Sequence, residues 1–433
     1  MVFVVSFTST ILIPAIPNIV KDFQSNDPYL STFIVSAYLV GYFLGPFLMA
    51  PLSDHYGRIP IYHICNLLFV GMTCWCATTH SLGTLATARF LAGCGGSGAV
   101  ALAPYSVMDM FRSERDFMFM VPGIAFVIAP ALGPMAGAHV SAKWGWRCVF
   151  WGAALVGAFS TIVALLGLRE SHGLVILGRK IVKRRMVTRN LPLRSRLEVR
   201  SKMPPSRRFV QLQIRPFLVL RSLSVFFATC VAAVGSGFMY MVFITLTEVF
   251  TSEFHWKPEN IGYAFTGIAV GNLVGILLGS LLSNMVVKGR KKRGYEKPEI
   301  RLLPMILFWP LVGLGLIVYA WTSAKAGAWI WPLVGSGIFG AGVTSANFFS
   351  LSYITASYPE HAASGIGTHI LVHSIIAGAL PVFSNKLYYR MGVGWGFTIL
   401  GLVALAICPV LYFCYRFGER MRKRLDRSSE PTA

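Results

Sequence analysis

Long apolar stretches recur along the whole of this 433-residue chain, each about 18 to 25 residues in length. A helix needs about 20 apolar residues to cross the roughly 30 Å hydrocarbon layer of a bilayer. The runs are continuous rather than alternating, which favours helices over a barrel, because a lipid-facing backbone must satisfy its hydrogen bonds internally. With 55% hydrophobic and 13% charged residues, the composition fits this reading. We therefore predict an all-α polytopic membrane protein.

Twelve such runs can be counted, and each is expected to form one transmembrane helix. Their approximate bounds are 2–20, 30–52, 61–80, 82–107, 118–141, 148–168, 222–250, 260–286, 302–322, 328–355, 363–386 and 394–415. The first run follows Met1 with no polar lead, so we expect the first helix to be truncated.

A strongly basic segment divides the twelve runs six and six. Residues 169–221 hold fifteen Lys or Arg against two acids and contain no long apolar run. The sequence thus predicts four parts. These are an N-terminal six-helix bundle at 1–168, a basic cytoplasmic linker at 169–221, a C-terminal six-helix bundle at 222–415 and a basic cytoplasmic tail at 416–433.

The net charge of +22 is distributed unevenly along the chain. If the even-numbered connections and the tail face the cytoplasm, 31 of the 39 Lys and Arg lie inside, seven lie outside and Arg89 is intramembrane. This positive-inside asymmetry places both termini in the cytoplasm. We read the charge as a topology signal, with contact to the anionic inner leaflet as a second effect, and expect no nucleic-acid partner.

The two halves carry a faint internal repeat. "GPFLMAPLSD", which ends at Asp54, matches "GILLGSLLSN", which ends at Asn284, and each is followed by a Gly-Arg; "WGWR" before the sixth run matches "VGWG" before the twelfth. Parallel six-helix repeats with a binding site between them are typical of secondary transporters. The chain has no Gly-x-x-x-x-Gly-Lys-Ser/Thr phosphate loop, which argues against an ATP-driven pump.

A short charged turn, "APLSDHYGRIP", separates the second and third runs. Asp54 can cap a helix end and form a salt bridge, Gly57 permits a tight turn, and Arg58 supplies a cation at the inner face. Such a cluster could latch two bundles in one state and release them in another; a solvated topogenic loop is the alternative.

These motifs resemble the major facilitator superfamily, and more narrowly its fungal twelve-span drug:proton antiporters. The resemblance is carried by "PLSDHYGR", "RFLAGCGGSGAVALAPYSVMDMF", "APALGPMAG", "WGWRCVFW", "YPEHAASG" and "CYRFGER", and it covers nearly the whole chain. The family's loop motif is Gly-x-Leu-x-Asp-Arg-x-Gly-Arg-Lys. Here Ala50, His55 and Ile59 replace its first Gly, its first Arg and its second basic residue, which weakens the expected latch.

Two charged residues of the fourth run acquire roles through this resemblance. An unpaired charge at the bilayer centre costs about 2.5 kcal/mol or more, so Arg89 must face a partner or a water-filled cavity. The resemblance places Arg89 in an Arg-Phe-x-x-Gly motif of proton coupling, with structural pairing as the alternative. Asp109 resembles the "DMF" acid that pairs with the loop arginine, the alternative being a plain interfacial carboxylate.

The fifth run contains small residues and prolines at four-residue spacing, a pattern that permits close helix approach. In the family it is the antiporter signature Gly-Pro-x-x-Gly-Pro-x-x-Gly, here with Ala129 in place of the first Gly; ordinary helix packing would use the same residues. The motif positions are Pro130, Gly133, Pro134 and Gly137.

Three further titratable residues lie in the C-terminal runs. His369 and His373 stand one turn apart; two ligands do not complete a zinc site, so we predict no metal, and the choice lies between proton carriage and packing. Glu248 is the acid lying within an assigned run, near its outer end, with a coupling or substrate role open. The lack of a deeper carboxylate argues against polycationic cargo.

Aromatic and amide groups are the remaining candidates for a substrate cavity. Rings with a few polar atoms suit a broad apolar pocket, although helix packing would also use them. On the runs that line the pathway in this family, these residues are Tyr38, Tyr42, Tyr105, Tyr240 and Asn347.

The leading hypothesis is a secondary transporter that exports small lipophilic or amphipathic compounds in exchange for protons, by alternating access. We expect a monomer in the plasma membrane, with no cofactor. The alternatives are a non-transporting sensor or decayed copy, and a polytopic membrane enzyme that uses His369, His373 or Glu248 as acid or base.

Overall fold

The described part of the protein is built from long helices. The computed structural model describes residues 1–24, 28–110, 115–168, 170, 173–188, 222–291, 298–325, 327–358 and 362–429, and there is no strand among them. The predicted all-α fold class is confirmed.

Fourteen α-helices are found in these described stretches. In the N-terminal half they are α1 (Val2–Thr10), α2 (Ile16–Asp22), α3 (Pro28–Tyr56), α4 (Arg58–Thr78), α5 (Leu82–Met110), α6 (Arg115–Trp144) and α7 (Trp146–Gly167). Helix α8 (Gly173–Thr188) lies inside the predicted linker, and residues 189–221 lie outside the described part. The C-terminal half consists of α9 (Leu223–Ser252), α10 (Thr266–Lys291), α11 (Leu303–Ala324), α12 (Ile330–Ser357), α13 (Ala362–Ala379) and α14 (Ser384–Ser429).

These helices supply the twelve predicted spans. Among the described residues, nine helical stretches are long and apolar enough to cross a membrane. The remaining three spans are α3, α6 and α12, whose 29, 30 and 28 residues are also sufficient to cross it.

The first predicted span is not one continuous helix. Helix α1 ends at Thr10, a 3₁₀ turn occupies Ile13–Ala15, and α2 begins at Ile16. Pro14 and Pro17 explain the break, because proline has no N–H to donate to the carbonyl four residues earlier. The break leaves backbone carbonyls free in the middle of the membrane.

Two glycine turns reveal the repeat between the halves, in a register that differs from the predicted one. Gly145 (φ 83°, ψ 161°) precedes the sixth span, and Gly392 (φ 72°, ψ 168°) divides α14 before the twelfth. The structural counterpart of Gly145 is thus Gly392, two residues before the Gly394 of "VGWG". Positive φ favours glycine, so the two halves are aligned by their glycine turns and not by the tryptophan that follows Gly145 or Gly394.

The other predicted repeat pair has two different backbones. Gly57 has a φ of 102° and starts α4, whereas Gly289 lies within α10. A glycine turn with positive φ therefore follows the second span of the first half, whereas residues 292–297, which follow α10, lie outside the described part.

Neighbouring spans approach closely where one of them carries glycine. A Cβ at Gly41 of α3 would collide with the Phe90 carbonyl of α5, and one at Gly271 of α10 would collide with the Gly337 carbonyl of α12. The second and fourth spans of each half thus pack backbone to backbone, which allows dispersion contacts along their length.

Two helix pairs make the largest contacts between the two halves. Helix α3 packs against α13, and α6 packs against α10 and the 3₁₀ turn Ile261–Phe265. Gly262 lies against Met135 and Ala138, and Gly378 lies against Leu39 and Val40. These contacts place α3 opposite α13 and α6 opposite α10.

We expect Gly41→Ala to destabilise the N-terminal half by about 2 kcal/mol, because the new methyl group forces α3 away from α5. Gly71→Ala is the matched control, since nothing lies within 4 Å of a Cβ at Gly71. The free energy of unfolding in mixed micelles, titrated with SDS, measures both. Equal effects of the two substitutions would contradict this account of the α3–α5 contact.

Candidate functional site

A cavity of about 70 Å³ lies between the two halves. Residues of α1, α3 and α6 line it on one side, and residues of α9, α10, α12 and α13 line it on the other. Tyr42, Tyr240, Asn347 and His373, all singled out from the sequence, are among these residues. The structure thus brings four predicted site residues into one space.

The cavity wall is largely apolar and carries no full charge. None of its lining residues, within the described part of the chain, is Asp, Glu, Lys or Arg. Hydrogen bonds fix several of its polar groups: the Asn347 amide donates to Ser236 Oγ at 2.9 Å, and the Thr344 hydroxyl donates to Asn272 Oδ1 at 2.8 Å. Such a wall suits an uncharged or weakly polar molecule.

Arg89 lies behind the cavity wall rather than in it. Its side chain is 0% exposed, and its Nη1 and Nη2 donate to the carbonyls of Thr8 (3.0 Å) and Ser9 (3.3 Å). Its guanidinium carbon lies 4.5 Å from the ring centroid of Tyr38 and 5.7 Å from that of Phe150. Tyr38, predicted to line the cavity, instead packs on this cation.

The break in the first span makes the Arg89 site possible. The last four carbonyls of an α-helix have no intrahelical donor, and α1 ends at Thr10. The carbonyls of Thr8 and Ser9 are therefore free to accept from the guanidinium. Ser9 also connects this site to the cavity, since its Oγ lies 3.4 Å from the Tyr240 hydroxyl.

The proline and glycine motif of α6 packs directly on the first span. A Cβ at Gly137 would collide with the Ile11 carbonyl, and one at Gly133 would lie 2.6 Å from the Phe7 carbonyl. Pro134 cannot donate to the carbonyl of Pro130, four residues earlier, and the Thr10 hydroxyl donates to that carbonyl instead, at 2.8 Å. The motif thus docks α6 onto α1 through the backbone.

The charged turn after α3 is held by a residue that the sequence did not single out. Glu170, which follows α7, accepts hydrogen bonds from the backbone N–H groups of Arg58 (3.0 Å) and Ile59 (3.4 Å). These are the first amides of α4, so its carboxylate caps that helix and faces the positive end of its dipole. The only sequence signal was an acid within a basic segment.

Arg58 is 5% exposed and donates from Nη1 to Ser53 Oγ at 2.7 Å. The side chains of Asp54 and Asp109, expected to pair with it, lie outside the described part of the structure, as does that of Tyr105. The latch therefore stays a prediction.

Two remaining titratable candidates, His369 and Glu248, do not line the cavity. His369 lies beside His373, with ring centroids 6.1 Å apart, but it faces Ser350, whose Oγ is 3.5 Å from its Nδ1. Glu248 lies on α9, is partly buried and does not line the cavity. In the described residues, no group of three or more His, Cys, Asp or Glu could hold a metal ion.

Residues of the "WGWR" motif connect the ends of three spans. The Trp146 indole N–H donates to Asp22 Oδ2 at 2.7 Å, and Arg147 Nη1 lies 3.7 Å from the same oxygen. Arg147 Nη2 also donates to the Thr79 carbonyl at 3.4 Å. The motif thus ties α7 to α2 and α4, away from the cavity.

We expect Thr10→Val to lower the free energy of unfolding by about 1 kcal/mol, because it leaves the Pro130 carbonyl without a donor. Thr8→Val is the control: its hydroxyl donates to Val4, in the same helix, at 2.7 Å. SDS titration measures the free energy of unfolding of both variants. An equal decrease in both would show that the Thr10–Pro130 hydrogen bond does not stabilise the protein more than a bond within one helix.

We expect Glu170→Ala to cost about 1 kcal/mol as a lost helix cap, and Glu170→Gln about half of that, because glutamine keeps one acceptor oxygen. Hydrogen exchange at the Arg58 and Ile59 amides should accelerate in the order Gln, then Ala. Unchanged exchange in the alanine variant would contradict the cap.

Comparison with known proteins fits this arrangement. The family model described as Major Facilitator Superfamily matches residues 1–380. The chain is 33% identical over 426 residues to the MFS-type transporter atr4 of Stereocaulon alpinum, with 97% of this chain and 76% of that protein covered. It is 32% identical over 430 residues to the efflux pump radE of Floropilus chiversii, with 97% and 79% covered.

The solved structure of the xylose transporter XylE from E. coli has the same fold, with a TM-score of 0.64 at 14% identity over 94% of each chain. The matched family and the fungal relatives identify a multi-pass membrane transporter rather than an enzyme. The chain belongs to the major facilitator superfamily.

Proposed function

We propose that this transporter exports small lipophilic or amphipathic compounds in exchange for protons, by alternating access of the central cavity. The observation that carries the proposal is the position and character of that cavity. It lies where the two halves meet, and its described wall has rings and hydroxyls but no full charge. A site shared by two halves changes its access when they rock against each other.

The proposed coupling centre is Arg89, with the titratable residue His373 as a second candidate. One layer of residues separates Arg89 from the cavity. Arg89 donates to the Ser9 carbonyl, and the Ser9 hydroxyl lies beside that of Tyr240 in the cavity wall. His373 lines the cavity itself, and an imidazole can take up and release a proton. His369 and Glu248 stay secondary candidates because neither lines the cavity.

Outward direction is supported by the relatives, one of which is named an efflux pump. The charge asymmetry supports cytoplasmic termini, and with them a plasma-membrane orientation in which cargo leaves the cell. Helix α8 carries exposed Lys180, Lys183 and Arg184, which suit contact with anionic lipid at the inner face.

The test is flux in sealed proteoliposomes loaded with a panel of lipophilic dyes under an imposed pH gradient. We expect dye movement that stops when an uncoupler collapses the gradient. Binding of dyes without gradient-dependent flux, by correctly inserted protein, would replace this proposal with the sensor or decayed-copy alternative.

We further expect Asp54→Asn to insert and fold normally but to lose net efflux, because the proposed latch needs the carboxylate. Asp426→Asn, at the end of α14, is the matched control and should transport like the unmodified protein. Full transport by the Asp54 variant would remove the latch from the mechanism while leaving the exporter proposal in place.

A further inference from the structure

We propose that the cavity selects uncharged apolar compounds that carry a hydroxyl group, recognised by the hydroxyls of Ser6, Tyr42 and Ser374 and the side-chain carbonyl of Asn347. This inference rests on the proposed export function and narrows its cargo.

Four polar atoms in the cavity wall make no hydrogen bond to any described residue. They are Ser6 Oγ, Tyr42 OH, Asn347 Oδ1 and Ser374 Oγ. Ser6, Tyr42 and Ser374 are at most 6% exposed, so bulk water does not reach them freely. The Ser6 and Tyr42 hydroxyls are close enough to interact with each other, but the distance and angles between them do not make a full hydrogen bond. Buried polar groups are nearly always paired, so four unpaired atoms around one small space indicate a partner from outside the chain.

The orientation of Asn347 determines what that partner must offer. Its Nδ2 donates to Ser236 Oγ and, at 3.1 Å, to the Val343 carbonyl, which can only accept. The amide nitrogen is therefore held towards Val343, and Oδ1 is left as an acceptor with no donor among the described residues. A ligand that satisfies it must supply an O–H or N–H donor.

The three hydroxyls complete the recognition. Each can donate to an oxygen of the ligand, so a single ligand hydroxyl can both donate to Asn347 and accept from Tyr42 or Ser374. A charged ligand would lose its hydration without gaining a fixed opposite charge, because the described wall has no Asp, Glu, Lys or Arg and His373 is neutral unless it has taken up a proton. The Arg89 guanidinium, being fully buried behind the wall, does not provide one.

The four groups are divided between the two halves. Ser6 and Tyr42 belong to α1 and α3, whereas Asn347 and Ser374 belong to α12 and α13. A hydroxyl that bonds to both pairs stabilises the arrangement in which the halves are closed around it. Binding and closure are thereby linked through differential affinity.

The experiment compares four tritiated probes that share one ring system: naphthylmethanol, its methyl ether, naphthylmethylammonium and naphthoate. Binding to the full-length protein in nanodiscs is measured by scintillation proximity, with empty nanodiscs subtracted and no gradient applied. We expect the alcohol to bind about fivefold tighter than the ether, because the ether lacks the donor for Asn347. The two ions should bind more weakly than either.

Tyr42→Phe and Ser374→Ala should each weaken binding of the alcohol by about fivefold. Ser374 Oγ makes no hydrogen bond to a described residue, and Tyr42→Phe keeps the buried ring, so both variants should fold. Ser323→Ala is the matched control: Ser323 Oγ is also buried and unpartnered, but it lies on α11 and does not line the cavity. This variant should bind the alcohol normally.

Three results would overturn the proposal. If the ether binds as tightly as the alcohol, partitioning or trapped water explains the site. Tighter binding of either ion than of the alcohol would contradict a neutral ligand. If none of the four probes binds, the cavity does not recognise the hydroxyl group. Dye flux under a pH gradient would leave the export function standing in each case. Selective binding of the alcohol without such flux would overturn export alone.

Discussion

The burial of Arg89 in the membrane is the interaction on which the arrangement of the N-terminal half depends. A guanidinium at this depth requires acceptors, and within the described residues these are backbone carbonyls rather than a carboxylate. Carbonyls become available only where a helix ends, so the arginine on the fourth span and the broken helix of the first span need each other. The same break positions Ser9 between the arginine and Tyr240.

The proline and glycine motif follows the same rule, that a backbone carbonyl inside the membrane needs a hydrogen-bond donor. Pro134 releases the Pro130 carbonyl, Thr10 occupies it, and Gly137 lets the two backbones come close enough for this contact. The spacing of the motif therefore reflects a hydrogen bond that one helix lacks and its neighbour supplies. A packing role does not exclude a role in the proposed antiport, because a helix docked on the first span can move with it as a unit.

The sequence predicted the span count, the two halves and three residues that line the cavity, Tyr42, Tyr240 and Asn347, because hydropathy and helical spacing are local properties. His373, which also lines it, was singled out for proton carriage. It could not predict contacts made across the fold. The cap supplied by Glu170, 112 residues from Arg58, has no local signature, and Ser6 and Ser374 look like any small polar residue within an apolar run. Tyr38 was placed in the cavity for its ring, but its position relative to Arg89 decides its contacts. The glycine repeat was matched two residues out of register because tryptophan is conspicuous in a sequence, whereas positive φ is visible only in a structure.

Arg89, the fixed charge, lies one layer behind the cavity wall, and in the proposed mechanism this position keeps its charge away from the cargo. A neutral ligand gains nothing from direct contact with a guanidinium, and an exposed cation would attract anions into the pathway. Behind the wall, Arg89 holds the carbonyls of Thr8 and Ser9, so any change in its surroundings acts on the backbone of the first span. That span carries Ser6 and Ser9 into the cavity and docks on α6 through Thr10. In the proposed mechanism the first span is thus the element through which proton and cargo affect each other, without sharing a binding site.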